Sequence, residues 1–170
     1  MKPILITLLI FFSFRSIAQQ QPNTDLSKNS IYAELLGNGG IYSINYDRLF
    51  QVSKGIKVAP RIGFATYQNV IIVPLEANIL LSESTTSKNF FETGLGVTLI
   101  KPLVGASVST LTVNGYQYVS NNEVVNTPFI IRAGFRHQKP TGGFMYRTGF
   151  LLFTGKETLL TIGIGLGYTF

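Results

Sequence analysis

The chain has 170 residues, enough for one domain, and only 13% of them are charged against 45% hydrophobic, about half the charge usual in a soluble domain. It has no cysteine, which excludes disulfides, thiol chemistry and a lipid-bearing N-terminal cysteine. The net charge of +6 is scattered without a basic run, so nucleic-acid binding has no support.

Residues 1–18 read as a signal peptide. Lys2 is the positive n-region, Ile4 to Phe14 the apolar h-region, and Ser16-Ile17-Ala18 the small-residue site, with cleavage after Ala18. Losing Lys2 and Arg15 with that segment leaves 12 basic and 8 acidic residues, a net +4. No run approaches the ~18 apolar residues of a membrane-spanning helix, so any insertion must be by strands. Residues 19–30 are polar and aperiodic and form a flexible lead-in.

Eight strand-like runs follow, near 31–37, 41–50, 56–66, 70–81, 90–101, 129–138, 144–154 and 158–170. Most have the ~9–11 residues of a tilted membrane strand. The first looks short and is open to an earlier start. Turn signals separate them: Gly37-Asn38-Gly39-Gly40, Ser53-Lys54-Gly55, the polar segment 82–89, Lys139-Pro140-Thr141-Gly142-Gly143 and Gly155-Lys156. An even strand count puts both chain ends on one side, the periplasm in an outer-membrane barrel. The turns near Ser53, Thr85 and Pro140 then share that side, and those near Asn38, Gln68, Val113 and Lys156 face outside. Pro60 and Pro74 fall inside runs and predict bulges or strand ends.

Parity carries the strongest argument. One face holds Tyr42, Ile44 and Tyr46, then Val58, Ile62 and Phe64, and goes on through Ile79, Leu95, Phe135 and Phe150. The other holds Glu34, Asp47, Arg61, Glu76, Glu92, Arg132, Arg136 and Arg147 among Gly, Ser, Thr and Asn. A soluble barrel with its apolar face inward would have a poorly charged exterior. A membrane barrel puts the apolar face against lipid and needs a polar, charge-balanced lumen, which four acids and four arginines supply. Hairpin counting sets Arg61 beside Glu76, and Glu92 beside Arg136. Arg48 breaks the apolar parity near an expected interface, where it can snorkel.

The last run alternates Leu160, Ile162, Ile164, Leu166, Tyr168 and Phe170 with Thr161, Gly163, Gly165, Gly167 and Thr169. Its glycines have the wrong spacing and context for a dinucleotide loop. They let a small barrel curve, or leave room for lumen side chains. The strand resembles the closing strand of bacterial outer-membrane proteins, which makes Tyr168 and Phe170 an assembly signal for the barrel-assembly machinery.

Signal peptide, eight amphipathic strands, charged lumen and aromatic terminus together resemble small OmpA/OmpX-type outer-membrane barrels. Residues 29–47 also resemble the opening of uncharacterised small barrel proteins from Bacteroidota. The resemblance implies an all-β, eight-stranded antiparallel transmembrane barrel over residues 31–170, located in the bacterial outer membrane and contacting its lipid. It leaves no room for a C-terminal peptidoglycan-binding domain.

The site candidates are few. His137 is the only histidine. A lipid-A-modifying barrel enzyme needs a His with a Ser and a carboxylate near the outer leaflet, and His137 falls at the opposite end with lipid-facing parity. No metal cluster and no cofactor motif is present, so no catalytic residue, metal or cofactor is assigned. The separator 102–127 contains two alternating arms around Asn114-Gly115, a hairpin signal, and is uncharged between Lys101 and Glu123. It reads as a hairpin projecting outside as a continuation of its neighbouring strands. Tyr116, Tyr118 and Val119 are its candidate contacts for a surface protein partner or for self-association. The expected role is non-enzymatic, structural or contact-forming, with a closed charged lumen; the alternatives are a lipid-A-modifying enzyme and a soluble periplasmic lipid-binding barrel.

Overall fold

The computed structural model describes residues 27–67, 70–102, 111–113, 116–118, 125–126, 129–154 and 158–170. The predicted signal peptide and the lead-in as far as residue 26 lie outside them. The strands are β1 (Asn29–Leu35), β2 (Tyr42–Arg48), β3 (Phe50–Ser53), β4 (Ile56–Tyr67), β5 (Val70–Leu81) and β6 (Asn89–Pro102). They continue as β7 (Leu111–Val113), β8 (Tyr116–Tyr118), β9 (Val125–Asn126), β10 (Phe129–Gln138), β11 (Gly143–Thr154) and β12 (Leu159–Thr169). There is no helix among the described residues.

All the barrel pairings are antiparallel. The ladder runs β10-β11-β12-β1-β2-β4-β5-β6, and β6 pairs back to β10. With β2 and β3 counted as one interrupted strand, this is a closed eight-stranded barrel. The seam is β1 against β12, in the register Ile31↔Tyr168 to Leu35↔Ile164. Two backbone bonds finish it at the chain ends, Asn29 N to Phe170 O at 3.0 Å and Phe170 N to Asn29 O at 2.8 Å. The start of β1 and the end of β12 therefore sit at one end of the barrel, called the terminal end below. β1 opens at Asn29, within the stretch expected to be lead-in.

The prolines do not act as the sequence suggested. The β4–β5 register is constant from Ile56↔Leu81 to Tyr67↔Val70, with no bulge at Pro60 or Pro74. Each proline keeps one neighbour and loses the other. Pro60 pairs with Ala77, but the ladder to β2 and β3 lapses between Asp47↔Arg61 and Phe50↔Val58. Pro74 pairs with Thr98, but the β4 ladder lapses between Ile62↔Leu75 and Ala65↔Ile72. A missing N–H faces only one edge of a strand, so one ladder is interrupted and the strand runs on. The register shift occurs instead between Gln51 and Ser53, next to the turn.

The pleat sorts the side chains by parity. Strand β2 alternates exposed Tyr42, Ile44 and Tyr46 with buried Ser43, Asn45 and Asp47. The same alternation of exposed and buried positions holds across β1, β4, β11 and β12. Aromatics on the outer face gather toward both ends. Tyr46, Phe91, Phe135, Phe144 and Tyr168 lie toward the terminal end, and Tyr42, Tyr67 and Phe129 toward the far end.

The hairpin in 102–127 differs from its expected form. Among the described residues β7 and β8 make a two-stranded ladder of their own, from Leu111↔Tyr118 to Val113↔Tyr116. The barrel ladder is prolonged instead by β9 on β6, through Leu99↔Asn126 and Ile100↔Val125. The three-residue arms satisfy each other, which leaves the β6 edge to the segment nearer in sequence to β10. Val108 and Val119 lie outside the described residues.

Gly134 of β10 faces Gly149 of β11. A Cβ on Gly134 would stand 2.2 Å from the Thr148 carbonyl oxygen and 2.5 Å from Gly149 Cα, both backbone atoms that cannot swing away. Gly134→Val is expected to cost ~1–3 kcal/mol, the usual range for overpacking. Ala133→Val, one residue away on the exposed face, is expected to be near neutral. Urea titration read by the mobility of unheated samples on gels compares the two.

Candidate functional site

Among the described residues, charged side chains converge in the barrel interior. All eight charged residues assigned to it by parity lie there with relative exposures of 0–6%. Glu34 sits between Arg61 and Arg132, in direct contact with the first and 2.9 Å from Nη1 of the second. Glu76 meets Arg61 Nη1 at 3.0 Å and accepts two bonds from Arg132, from Nε at 2.9 Å and Nη2 at 3.0 Å. Arg147 lies 3.2 Å from Glu92, with Glu76 at 3.8 Å and Glu34 at 4.0 Å. Arg136 holds Asp47 with both nitrogens, at 2.6 and 2.9 Å, and reaches Glu92 at 3.8 Å. Every member is thus joined to every other through shared partners. Guanidinium forks suit this, because one fork can serve two carboxylates.

The expected neighbours meet as counted: Arg61 pairs in register with Glu76, and Glu92 comes within ion-pair distance of Arg136. The closer partners are cross-barrel ones. Asp47 on β2 and Arg136 on β10 stand on opposite walls, so that pair fixes the width of the barrel as well as a register.

Glycines of β12 make the room. A Cβ on Gly165 would meet Arg147 Cγ at 2.8 Å and Tyr32 Cδ2 at 3.4 Å; one on Gly163 would meet Glu34 Oε1 at 3.2 Å and Arg132 Nη1 at 3.4 Å. The strand gives no side chain to the network, and its bare wall accommodates the arginines of its neighbours. Tyr32, fully buried, stands between two of them: Arg61 lies 5.4 Å and Arg147 5.2 Å from its ring centre, within cation–π range. Its hydroxyl also accepts a hydrogen bond from Arg147 Nη1. Tyr32 shares the parity of Glu34, two residues on, which is the signal that identifies it from sequence.

Two further features complete the interior. The turn between β1 and β2 folds inward instead of projecting. Gly37, Asn38, Gly39 and Gly40 are all buried. Asn38 Nδ2 donates to Glu76 Oε1 at 3.0 Å, and Thr98 Oγ1 donates to the Asn38 carbonyl at 3.0 Å. Leu36 at φ 55° and Gly40 at φ 89° reverse the chain into the mouth. Apolar side chains also fill both ends. Ala65, Val70, Ile72, Ile100, Ile130, Leu151 and Phe153 cluster at the far end, and Leu49, Ala59, Leu80 and Phe90 at the terminal end. Lys57 is 5% exposed near the latter, with Nζ 4.8 Å from the Phe90 ring centre. Lumen-parity Val, Ile and Leu of β5, β6 and β11 are the sequence signal for these layers.

His137 lies on β10 toward the terminal end. Its Nδ1 is 2.7 Å from Asn89 Oδ1, and its ring stacks on Tyr146 at 5.0 Å. Among the described residues no Ser–carboxylate pair joins it there. No group of three or more potential metal ligands occurs among the described residues. Arg48 is exposed, 5.7 Å from the Phe50 ring centre. Tyr168 and Phe170 point outward at 60% and 50% exposure. Tyr116 and Tyr118 are placed on β8 by backbone alone.

Glu76→Ala would leave Arg132 and Arg61 with Glu34 as their one close carboxylate in a water-poor interior. The expected loss is ~3 kcal/mol or more. In a double-mutant cycle, Arg132→Ala is expected to recover more of that loss than Arg61→Ala, because Glu76 accepts two well-placed bonds from Arg132. The check is urea unfolding in detergent; additive losses would mean the pairs are uncoupled.

No protein-family model and no curated protein matches this chain, so the likeness of residues 29–47 to Bacteroidota barrels gains no support. A solved structure does match. The N-terminal β-barrel domain of Pseudomonas aeruginosa OprF superposes with a TM-score of 0.52 over 86% of this chain and 98% of that one, at 10% sequence identity. At that identity the likeness is one of fold: this chain is an eight-stranded barrel like that of OprF.

Proposed function

We propose that this protein is an outer-membrane barrel, closed to solutes, with a structural or surface-contact role and no enzymatic one. The observation that carries the reading is the inversion of the usual arrangement. Charged and amide side chains are buried, while Ile44, Ile62, Leu95, Phe150, Ile164 and Leu166 are about half exposed. Water is a poor solvent for that exterior and lipid a good one. Aromatics toward both ends of the apolar band match interfacial girdles. The likeness to a barrel domain of an outer-membrane protein supports the same location. The soluble lipid-binding alternative needs the apolar face inward, and the parity runs against it.

A closed lumen follows from the same interior. Eight strands leave a space that side chains fill, and here ion pairs fill it between two apolar layers. The terminal end would face the periplasm and the far end the cell exterior, with the β7–β8 hairpin on the outside. Tyr116, Tyr118 and Val119 are the contact residues we propose for a surface partner or a second copy.

Membrane fractionation with heat-modifiable gel mobility tests the location. The protein is expected in outer membranes, to need detergent, and to migrate faster unheated. Soluble, monodisperse periplasmic protein would overturn the reading. Deleting Phe170 removes the two backbone bonds to Asn29 and the terminal aromatic. Insertion in cells is expected to fall while refolding into detergent persists, and normal membrane levels of the truncated chain would count against an assembly role. Replacing residues 108–120 with a short Gly/Asn turn is expected to leave mobility unchanged and to reduce crosslinking on intact cells. Undiminished crosslinking would make the hairpin a passive loop.

A further inference from the structure

We infer that the cleft beneath the β5–β6 turn is a headgroup site for a zwitterionic phospholipid bearing a primary amine, in the leaflet at the terminal end. This deepens the outer-membrane reading and rests on it. The cleft measures about 400 Å³, within the range of small-ligand sites. It straddles two environments. Leu81, Phe91 and Phe135 form its wall on the outer face of the barrel and are 40%, 54% and 37% exposed. Ser82, Glu83, Ser87, Lys88, Asn89 and the buried Phe90 line the rest.

The polar part is preorganised. Ser82 Oγ donates to the Ser84 carbonyl at 2.9 Å, and the Ser84 amide donates to Ser87 Oγ at 3.1 Å. Ser82 N bonds the Gly55 carbonyl at 2.8 Å, and Gln138 N bonds that of Lys88 at 2.8 Å. The turn is therefore pinned to both neighbouring hairpins, and its charges leave a fixed frame. Glu83 and Lys88 form no ion pair with each other or with any other described residue. One cation and one anion, held apart on the rim of a cleft with an apolar back wall, complement a phosphate and an ammonium joined by a short linker. Lys88 takes the phosphate and Glu83 the amine. His137 adds to this. With Nδ1 donating to Asn89 Oδ1, the Asn89 amide keeps its NH₂ as a donor for a phosphate oxygen. An acyl chain then lies along Leu81, Phe91 and Phe135. A purely anionic lipid would leave Glu83 facing its negative charge, and a quaternary ammonium would bring no N–H to it.

The test is native mass spectrometry of the full mature chain released from lipid nanodiscs holding equal amounts of phosphatidylethanolamine, phosphatidylglycerol and phosphatidylcholine. The wild type is expected to retain phosphatidylethanolamine over each of the others by about fivefold, the scale of an exposed charge pair on either side of the headgroup. Glu83→Lys is expected to turn the preference to phosphatidylglycerol. Glu83→Ala with Lys88→Ala is expected to abolish it, with unchanged heat-modifiable mobility showing an intact barrel. Equal retention of the three lipids by the wild type, or variants that keep its preference, would overturn the site. Equally tight binding of soluble phosphoethanolamine would remove the acyl wall from the proposal. A chain that never enters nanodiscs would refute the membrane reading itself, which is a different failure from insertion without preference.

Discussion

The constraint on which the structure depends is electrostatic: four arginines and four carboxylates occupy an interior almost without exposure. Each ion costs several kcal/mol to take out of water, and only close, well-formed pairing offsets it. That requirement sets the stoichiometry, and it selects arginine over lysine, because a fork can satisfy two acids. It also explains why a whole strand gives up its inner side chains. A Cβ at Gly165 would force Arg147 Cγ, 2.8 Å away, to shift, and one at Gly163 would press on Leu151 Cδ1 at 2.9 Å and crowd Glu34 Oε1 at 3.2 Å. The apolar layers at both ends are the remaining condition, since they keep water from competing for the pairs and so strengthen them.

The exterior follows from the interior. With a period of two, every residue given to the network commits its chain neighbours to the outside. A strand whose inner face is Asp47, Asn45 and Ser43 has only Tyr46, Ile44 and Tyr42 to show its surroundings. Such a surface is stable where the surroundings are apolar, and there every backbone group must be paired within the protein. The seam is paired as far as Phe170, which exchanges both backbone bonds with Asn29 at the start of β1.

Much of this was legible in the sequence, and the illegible parts have physical reasons. Parity identified all eight lumen charges, because a strand has only two faces. Hairpin counting identified Arg61 with Glu76, because a tight turn fixes register. It could not identify Asp47 with Arg136, since contact across the barrel depends on closure and diameter. The end layers were hidden because β5 is apolar on both parities, so Val70 and Ile72 do not stand out from Ile71 and Val73. The inward fold of residues 37–40 was hidden for another reason. Gly-Asn-Gly-Gly specifies that the chain reverses; where the turn then lies is decided by Glu76 and Thr98, which bond to Asn38 from other strands. The prolines misled because a count of residues does not say which edge of a strand their missing N–H faces.

A filled interior also limits where function can reside. Moving a solute through the barrel would require breaking the network, and charges left unpaired in a closed space are far costlier than the same charges at a surface. The core therefore serves as a rigid frame, and adaptable chemistry is pushed to the ends. At the far end the inward turn occupies the mouth, which leaves the β7–β8 hairpin as the segment with a ladder independent of the barrel. At the terminal end the turns are short, and the β5–β6 turn is bound to both neighbours. On the proposed reading, the short, fixed turns on one side would take lipid headgroups and the separately folded hairpin on the other would contact a macromolecule. On that reading, the buried charges that fill the lumen also hold the two ends of the barrel in fixed relation.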